Sequence, residues 1–362
     1  MKKIMLAVTS LKGGGAERVV SVWASQLAEK GYDVAVFTYS LGKDEYQLNP
    51  KVKRVVLTDN IKDYLAMGYL KRYKLMRKKL KEFSPDIVIS FLFNMQVWMA
   101  AAGIGMKHKR IDTVRISPWH HGGSKLTEMM WRACFKTGDL TILQSDDQKA
   151  FFGKSVQKKC VVVPNPLNAD CEAVGKDVFG EKALRFCAAG RLCPQKNFPM
   201  LIKAFAKAHE KNPDITLDIY GKGSDEYTEK LNLLINENNA DQYVRLCGRT
   251  NDMHGELIKH DAFIMSSDYE GMPNALAEAM AVGLVCISTD CRTGPRDLIR
   301  PEENGFLVPV GDVDAMAEKI IKVSMMDSEL IKSTGASARQ SVTDFCGQEN
   351  SLAKLIEAIE MC

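Results

Sequence analysis

Twice along this chain, short apolar or β-branched runs alternate with amphipathic helical stretches, and that alternation leaves few folds open. Strands buried on both faces read as continuous apolar runs, and the helices between them supply the crossovers of a parallel sheet. Strands are expected at residues 4–8, 34–38, 54–57, 87–91, 112–116, 140–143 and 161–163. Between the first two, Ala16, Val19, Val20, Trp23 and Leu27 share one helical face and Gly31 ends the helix, which makes a βαβ unit. Pro164-Asn165-Pro166-Leu167-Asn168 then breaks regular structure, because each proline biases its predecessor away from helix. A second alternation follows, with strands at 184–189, 216–220, 244–247, 262–266, 285–288 and 305–308, and with Leu201, Phe205 and Ala208 on the buried face of its first helix. The reading is two doubly wound halves, 1–167 and 168–345. A final helix over 346–362 carries Leu352, Leu355, Ile356 and Ile359 on one face.

Composition narrows the class. A chain of 362 residues has the length of two ordinary domains, and 46% hydrophobic with 26% charged residues excludes a disordered, collagenous or disulfide-scaffold protein. The net charge of +4 does not mark a nucleic-acid binder, and none is expected as a partner. Ten cysteines without a CxxC pair or zinc spacing read as reduced, mostly buried residues of a cytoplasmic protein. The opening MKKIMLAVTS resembles a signal n-region, yet its apolar stretch of five is shorter than a signal peptide needs, so it reads as the first strand. Residues 87–106 carry no charge and have about the length of a bilayer span. Ser90, Asn94 and Gln96 interrupt them and Gly103 and Gly105 punctuate their end, which favours a buried strand followed by a short buried helix.

In open α/β sheets ligands bind beyond the carboxyl ends of strands, where helix N-termini and glycine turns present backbone N–H groups. Gly13-Gly14-Gly15 follows the first strand and opens a helix, but it lacks both the GxGxxG spacing and the P-loop ending. It reads as a loop approaching a phosphate or a sugar, with a plain tight turn as the alternative. In Ser266 to Gly283, Pro273 suits the first helical position, and the amides that follow face an anion. Asn274 and Glu278 project from one side of that helix, where Glu278 is able to accept two ribose hydroxyl hydrogens. Glu270 precedes the helix. Either carboxylate alone would read as a dipole partner or a solvated helix residue; two of them bracketing Gly271, Pro273 and Asn274 favour a site. Gly190 lets the turn after the second half's first strand come close, and Arg191 and Lys196 leave it toward the same crevice, where they would neutralise a pyrophosphate.

The ordered set GGGAERVV, GRLCPQKNF, YGKGSDEY, SSDYEGMPNALAEAMAVG and NGFLVPVGD resembles the retaining glycosyltransferases of family 4. That resemblance implies a GT-B fold, in which two Rossmann-like doubly wound domains face each other across a cleft. The N-terminal domain would hold the acceptor and the C-terminal domain a nucleotide sugar, with the last helix crossing back to the first domain. By similarity Arg191 and Lys196 take the diphosphate, Glu278 the ribose, and Glu270 with the backbone of Gly271, Met272, Pro273, Asn274 and Ala275 the transferred sugar. Gly14 and Gly15 would close on the donor. The implied activity moves a hexose or N-acetylhexosamine from a UDP-linked donor to a saccharide, lipid-linked, in surface polysaccharide or glycan assembly. Rival readings are a nucleotide-sugar epimerase, a phosphorylase and a sugar-nucleotide-binding pseudoenzyme. No metal or other cofactor is expected, since a helix mouth and two cations suffice for a departing diphosphate and no DxD motif appears.

Arg115, His120 and His121 follow a first-half strand and are acceptor-side candidates, Arg115 the stronger, with ordinary structural roles for the histidines as the alternative. The segment 291–297 also follows a strand and is placed near the same crevice without an assigned role. Lys71, Arg72, Lys74, Arg77, Lys78, Lys79 and Lys81, interleaved with Tyr69, Leu70, Tyr73, Leu75, Met76 and Leu80, form a basic amphipathic stretch. It reads either as a charged helix face or as a contact with anionic lipid at the inner face of the membrane or with a lipid diphosphate acceptor.

Overall fold

The computed structural model describes residues 2–43, 45–120, 124–176 and 181–362. The chain divides into two units, Met1–Pro166 with Glu349–Cys362, and Leu167–Gln348. The first holds a seven-stranded sheet built from β1 (Lys3–Ala7), β2 (Asp33–Ser40), β3 (Lys53–Thr58), β4 (Ile87–Ser90), β5 (Lys109–Thr113), β6 (Leu140–Leu143) and β7 (Cys160–Val162). Their spatial order is β3-β2-β1-β4-β5-β6-β7, all parallel, with Ile4 opposite both Val34 and Ile87. The second unit holds β8 (Arg185–Ala189), β9 (Thr216–Tyr220), β10 (Val244–Gly248), β11 (Ala262–Met265), β12 (Val285–Thr289) and β13 (Phe306–Val308), in the order β10-β9-β8-β11-β12-β13. Both sheets are wound outward from a central pair, β1 with β4 and β8 with β11. The direction of winding reverses at that pair, so the loops leaving the two strands' carboxyl ends diverge and leave a crevice.

The strands form where the sequence placed them because the central ones are buried on both faces. β4 and β11 have no exposed residue. β5 differs: it runs over Lys109–Thr113 rather than 112–116. Its first two residues are charged and hide the strand from an apolar reading, whereas Val114 and Ile116, on either side of Arg115, carry apolar character past its end. Asp112, fully buried in this strand, accepts from Arg110 Nε at 3.0 Å and from Ser90 Oγ at 2.6 Å. The uncharged stretch after residue 87 is β4 followed by the helix Phe93–Ala102, and among the described residues no helix is long and apolar enough to cross a membrane. All ten cysteines are free thiols.

The final helix, expected over 346–362, spans Gln348–Glu360. Ser328–Cys346 ends at Gly347, whose N–H reaches back to Thr343 O, and Gln348–Glu360 starts afresh. The second helix buries Leu352, Leu355, Ala358 and Ile359 in the first unit's core beside Trp23, Leu27 and Val34. Trp23 Nε1 donates to Ser351 Oγ at 3.0 Å, and that hydroxyl donates to Pro164 O at 2.8 Å, so a buried polar chain fixes the register of the packing.

Candidate active site

The second unit's central strands each end in a loop, and the two loops are joined side chain to backbone. After β8, Gly190 N–H donates to Tyr220 O at 3.0 Å and Leu192 N–H to Lys222 O at 3.1 Å, so the turn lies against the turn after β9. That approach requires glycine on the other side: a Cβ on Gly221 would sit 1.8 Å from Gly190 O, and one on Gly223 2.3 Å from Leu192 O. The chain then makes a 3-10 turn at Pro194–Lys196 and passes through Asn197 in the left-handed region, φ 43°. The Asn197 side chain caps the helix Phe198–His209 by accepting from Met200 N–H. This brings the Lys196 stem back over Gly190, where a Cβ would lie 3.0 Å from Cε.

Lys196 Nζ is 2.5 Å from Glu270 Oε1, in the loop after β11. Glu270 is buried, so the cation is its means of staying charged away from water. The rest of the loop is pinned to the same neighbour. Ser266 Oγ donates to Lys196 O at 2.8 Å, Asp268 N–H to Gln195 O at 2.9 Å, Gln195 Nε2 to Tyr269 O at 2.8 Å and Asn197 Nδ2 to Asp268 Oδ1 at 2.7 Å. From the far side the Thr293 hydroxyl donates to Glu270 O. Gly294 adopts φ 96°, and a Cβ there would stand 2.6 Å from both Gly271 O and Pro273 Cδ. The segment 291–297 therefore holds the Glu270 turn in place. Burial, reinforced by the Glu270 charge, pushes the Cys291 thiol up to about 12.

The turn opens the helix Asn274–Val282. Pro273 is not its first residue, as expected, but its N-cap: ψ of 95° keeps it outside the helix while its carbonyl accepts from Ala277 N–H at 3.1 Å. Pro273 itself offers no side-chain cap, and the first turn of such a helix presents backbone N–H groups at its mouth. Glu278, one turn along from Asn274, is buried rather than solvated. Gly190, Lys196, Glu270, Gly271, Met272, Pro273, Asn274, Ala275 and Glu278 thus share one pair of loops and the helix they open, while Arg191 stands exposed at the same turn. Sequence reasoning placed the segment 291–297 near this crevice but gave Thr293 and Gly294 no role, and it gave none to Gln195. Only the Gly-Pro step at 294–295 signalled a special turn there.

Five further candidates, Gly14, Gly15, Arg115, His120 and His121, belong to the first unit. Gly14 is the N-cap of the helix Gly15–Glu29, and a Cβ on it would meet Glu17 Oε2 at 2.0 Å, so the bare backbone lets that carboxylate approach its own helix mouth. His120 is exposed, its Nδ1 3.1 Å from Ser117 Oγ, whereas His121 lies outside the described residues. Arg115 is the opposite of a surface cation. Its Nη1 donates to Asn165 Oδ1 at 2.8 Å, and its guanidinium carbon stands 4.6 Å from the Trp23 ring centre and 4.9 Å from that of Phe91.

Two parallel sheets of seven and six strands, each wound from a central pair, define the two-Rossmann-like GT-B fold. The model for Glycosyl transferases group 1 matches residues 183–325, and that for Glycosyltransferase Family 4 matches residues 13–170. The chain is 30% identical over 360 residues to the N-acetylgalactosamine-N,N'-diacetylbacillosaminyl-diphospho-undecaprenol 4-alpha-N-acetylgalactosaminyltransferase of Campylobacter jejuni, with 92% of each chain covered. It is 24% identical over 369 residues to the amylovoran biosynthesis glycosyltransferase AmsD of Erwinia amylovora, covering 98% of each. Among solved structures it superposes on Anabaena HepE, crystallised with UDP and glucose, with a TM-score of 0.81 at 17% identity, over 99% of this chain and 100% of that one. The chain belongs to the GT-B glycosyltransferases and acts in sugar transfer for glycan assembly.

Proposed function

We propose that the chain is a retaining family 4 enzyme that moves a hexose or an N-acetylhexosamine from a UDP-linked donor onto a lipid-linked saccharide. The observation that carries the reading is the Lys196–Glu270 pair at the mouth of the Asn274–Val282 helix. An ammonium has three N–H donors and Glu270 occupies one, which leaves two for phosphate oxygens. In the proposed step the bond from the anomeric carbon to the donor phosphate breaks, and its electron pair goes to the diphosphate. Lys196, Arg191 and the helix N–H groups hold that charge, so transition-state stabilisation comes from groups already in place. The acceptor hydroxyl attacks the same face and gives its proton to the departing phosphate. Glu270 and the backbone of Gly271 to Ala275 hold the sugar, and Glu278 the ribose. The undecaprenyl diphosphate acceptor named for the C. jejuni relative supports a lipid-linked acceptor.

Among the basic residues of the helix Tyr69–Phe83, two are structural. Arg77 Nη1 donates to Ala102 O at 2.8 Å, and Arg72 Nε donates to Tyr64 O at 3.1 Å. Lys71, Lys74, Lys78 and Lys81 are exposed, and Tyr69 and Leu70 are 77% and 66% accessible. Apolar anchors beside cations suit an anionic membrane surface, and we assign this face to it.

The test is a thermal-shift panel of nucleotide sugars followed by transfer assays with the selected donor. One UDP-sugar should raise the melting temperature, and its transfer should persist in excess EDTA because no step runs through a metal. A panel without a selective donor would remove the reading.

A further inference from the structure

Glu270 is held at two points of its own. Its carboxylate meets Lys196 Nζ at 2.5 Å, and its carbonyl accepts from the Thr293 hydroxyl. Thr293 is 1% exposed, so this bond forms away from water, where a carbonyl without a donor would bear its full desolvation. Only the torsions of one residue separate the two bonds, so a shift of the carbonyl becomes a shift of the carboxylate.

Strand β12 and the loop after it supply two hydroxyls to the turn that follows β11. Met265 lies opposite Ser288 in the sheet, which sets Thr289 beside the residues that leave it. Thr289 Oγ1 donates to Ser267 O at 2.6 Å, and both residues are fully buried. The loop that carries Thr293 is anchored in turn. Asp290 N–H donates to Val308 O at 2.7 Å, Arg296 Nε donates to Asp290 Oδ1 at 2.5 Å, and Gly294 N–H donates to Asp297 Oδ2 at 3.1 Å. The Thr293 hydroxyl is therefore presented from a fixed support. Thr289 holds the carbonyl of Ser267, where the turn leaves the sheet, whereas Thr293 holds the carbonyl of Glu270 itself.

We infer that Thr293 is a positioning residue: through the Glu270 carbonyl it aims the Glu270 carboxylate at Lys196 and at the sugar of a bound donor. Thr289 supports the turn without directing the carboxylate. This role rests on the proposed donor site, in which Glu270 holds the transferred sugar.

The test replaces each hydroxyl by a methyl group and reads transfer with the donor that the nucleotide-sugar panel selects. Thr293→Val should lower kcat by about ten- to hundred-fold, the order that a misplaced group costs, while calorimetry finds the parent's UDP stoichiometry and a Kd within about two-fold. A fold merely loosened would instead lower the stoichiometry. Thr293→Ser keeps the donor and should restore kcat to within about three-fold of the parent. Thr289→Val loses an equally buried hydroxyl and should melt lower than the parent with kcat unchanged. Should Thr293→Val fail to fold, Thr293→Cys, whose thiol is a weak donor, reads the same loss. An unchanged kcat in Thr293→Val, an equal fall in Thr289→Val, or no rescue by serine overturns the inference. A panel that selects no nucleotide sugar removes the donor-site reading and this role with it; a selected donor whose transfer ignores Thr293 removes the role alone.

Discussion

Lys196 and Glu270 are worth more together than apart. Replacing Lys196 by Gln strips a buried carboxylate of its cation and, in the proposed reaction, removes one positive charge from the departing diphosphate. Loss of one such preorganised group typically costs about 10²–10³ in turnover. We expect kcat to fall by that order in Lys196→Gln, with Glu270→Gln similarly impaired; steady-state kinetics on the selected donor checks both. Gly294 acts one layer out. Its φ of 96° and the 2.6 Å approach to Gly271 O leave no room for a methyl group. Gly294→Ala should therefore displace the turn bearing Glu270, costing about 1–3 kcal/mol of strain. The expected outcome is a rise in KM for the donor with a smaller fall in melting temperature, read by kinetics and calorimetry. Glu270 and Lys196 were legible as neighbours only in combination, because two carboxylates bracketing Gly271, Pro273 and Asn274 beside a cationic glycine turn outweigh the structural reading that each residue has alone. Thr293 was not, because a threonine after a strand carries no signal until its hydroxyl is seen on the Glu270 carbonyl.

The elements that carry the site depend on a charged cluster at the base of the second sheet. Asp261, just before β11, accepts from Lys176 Nζ at 2.8 Å and from Arg185 N–H at 2.9 Å. Burial raises its pKa, but the hydrogen bonds from Arg185 and Lys176 outweigh that and hold the carboxyl below the usual carboxylate range. The sign follows: this stability is fully present above the unfolded carboxylate pKa, near 4, and is lost as pH falls through the lower folded value. Asp261→Asn leaves Lys176 buried without its anion, at a cost of about 3–5 kcal/mol. Urea melts should show that loss at neutral pH and a shallower decline below about pH 4 than the parent chain. On the first unit, sedimentation with anionic vesicles at low salt and release at high salt would test the lipid face of Tyr69–Phe83, and Tyr69→Ser with Leu70→Ser should weaken it. Strands were readable because double burial writes an apolar run into the chain. β5 shifted because Lys109 and Arg110 open it with charge, and Pro273 moved by one position because proline suits both the N-cap turn and the first helical residue.

At the scale of the molecule, the first unit borrows its last piece of core from the far end of the chain. Leu355 is fully buried among residues that include Trp23 and Val34. Leu355→Ala should destabilise that unit by about 2–5 kcal/mol. Denaturation followed by tryptophan fluorescence checks this, because Trp23 lies in the same cluster. The apolar face of the helix was visible in sequence, but not its start, because Gly347 sits between two stretches that both have helical periodicity. There is a consequence for biosynthesis. As the polypeptide leaves the ribosome, β1 to β7 emerge first, yet the segment that covers Trp23 is translated only after the whole second unit. The nascent chain therefore carries an open apolar groove until residues 349–362 appear, and the whole second unit has time to fold before the first is sealed.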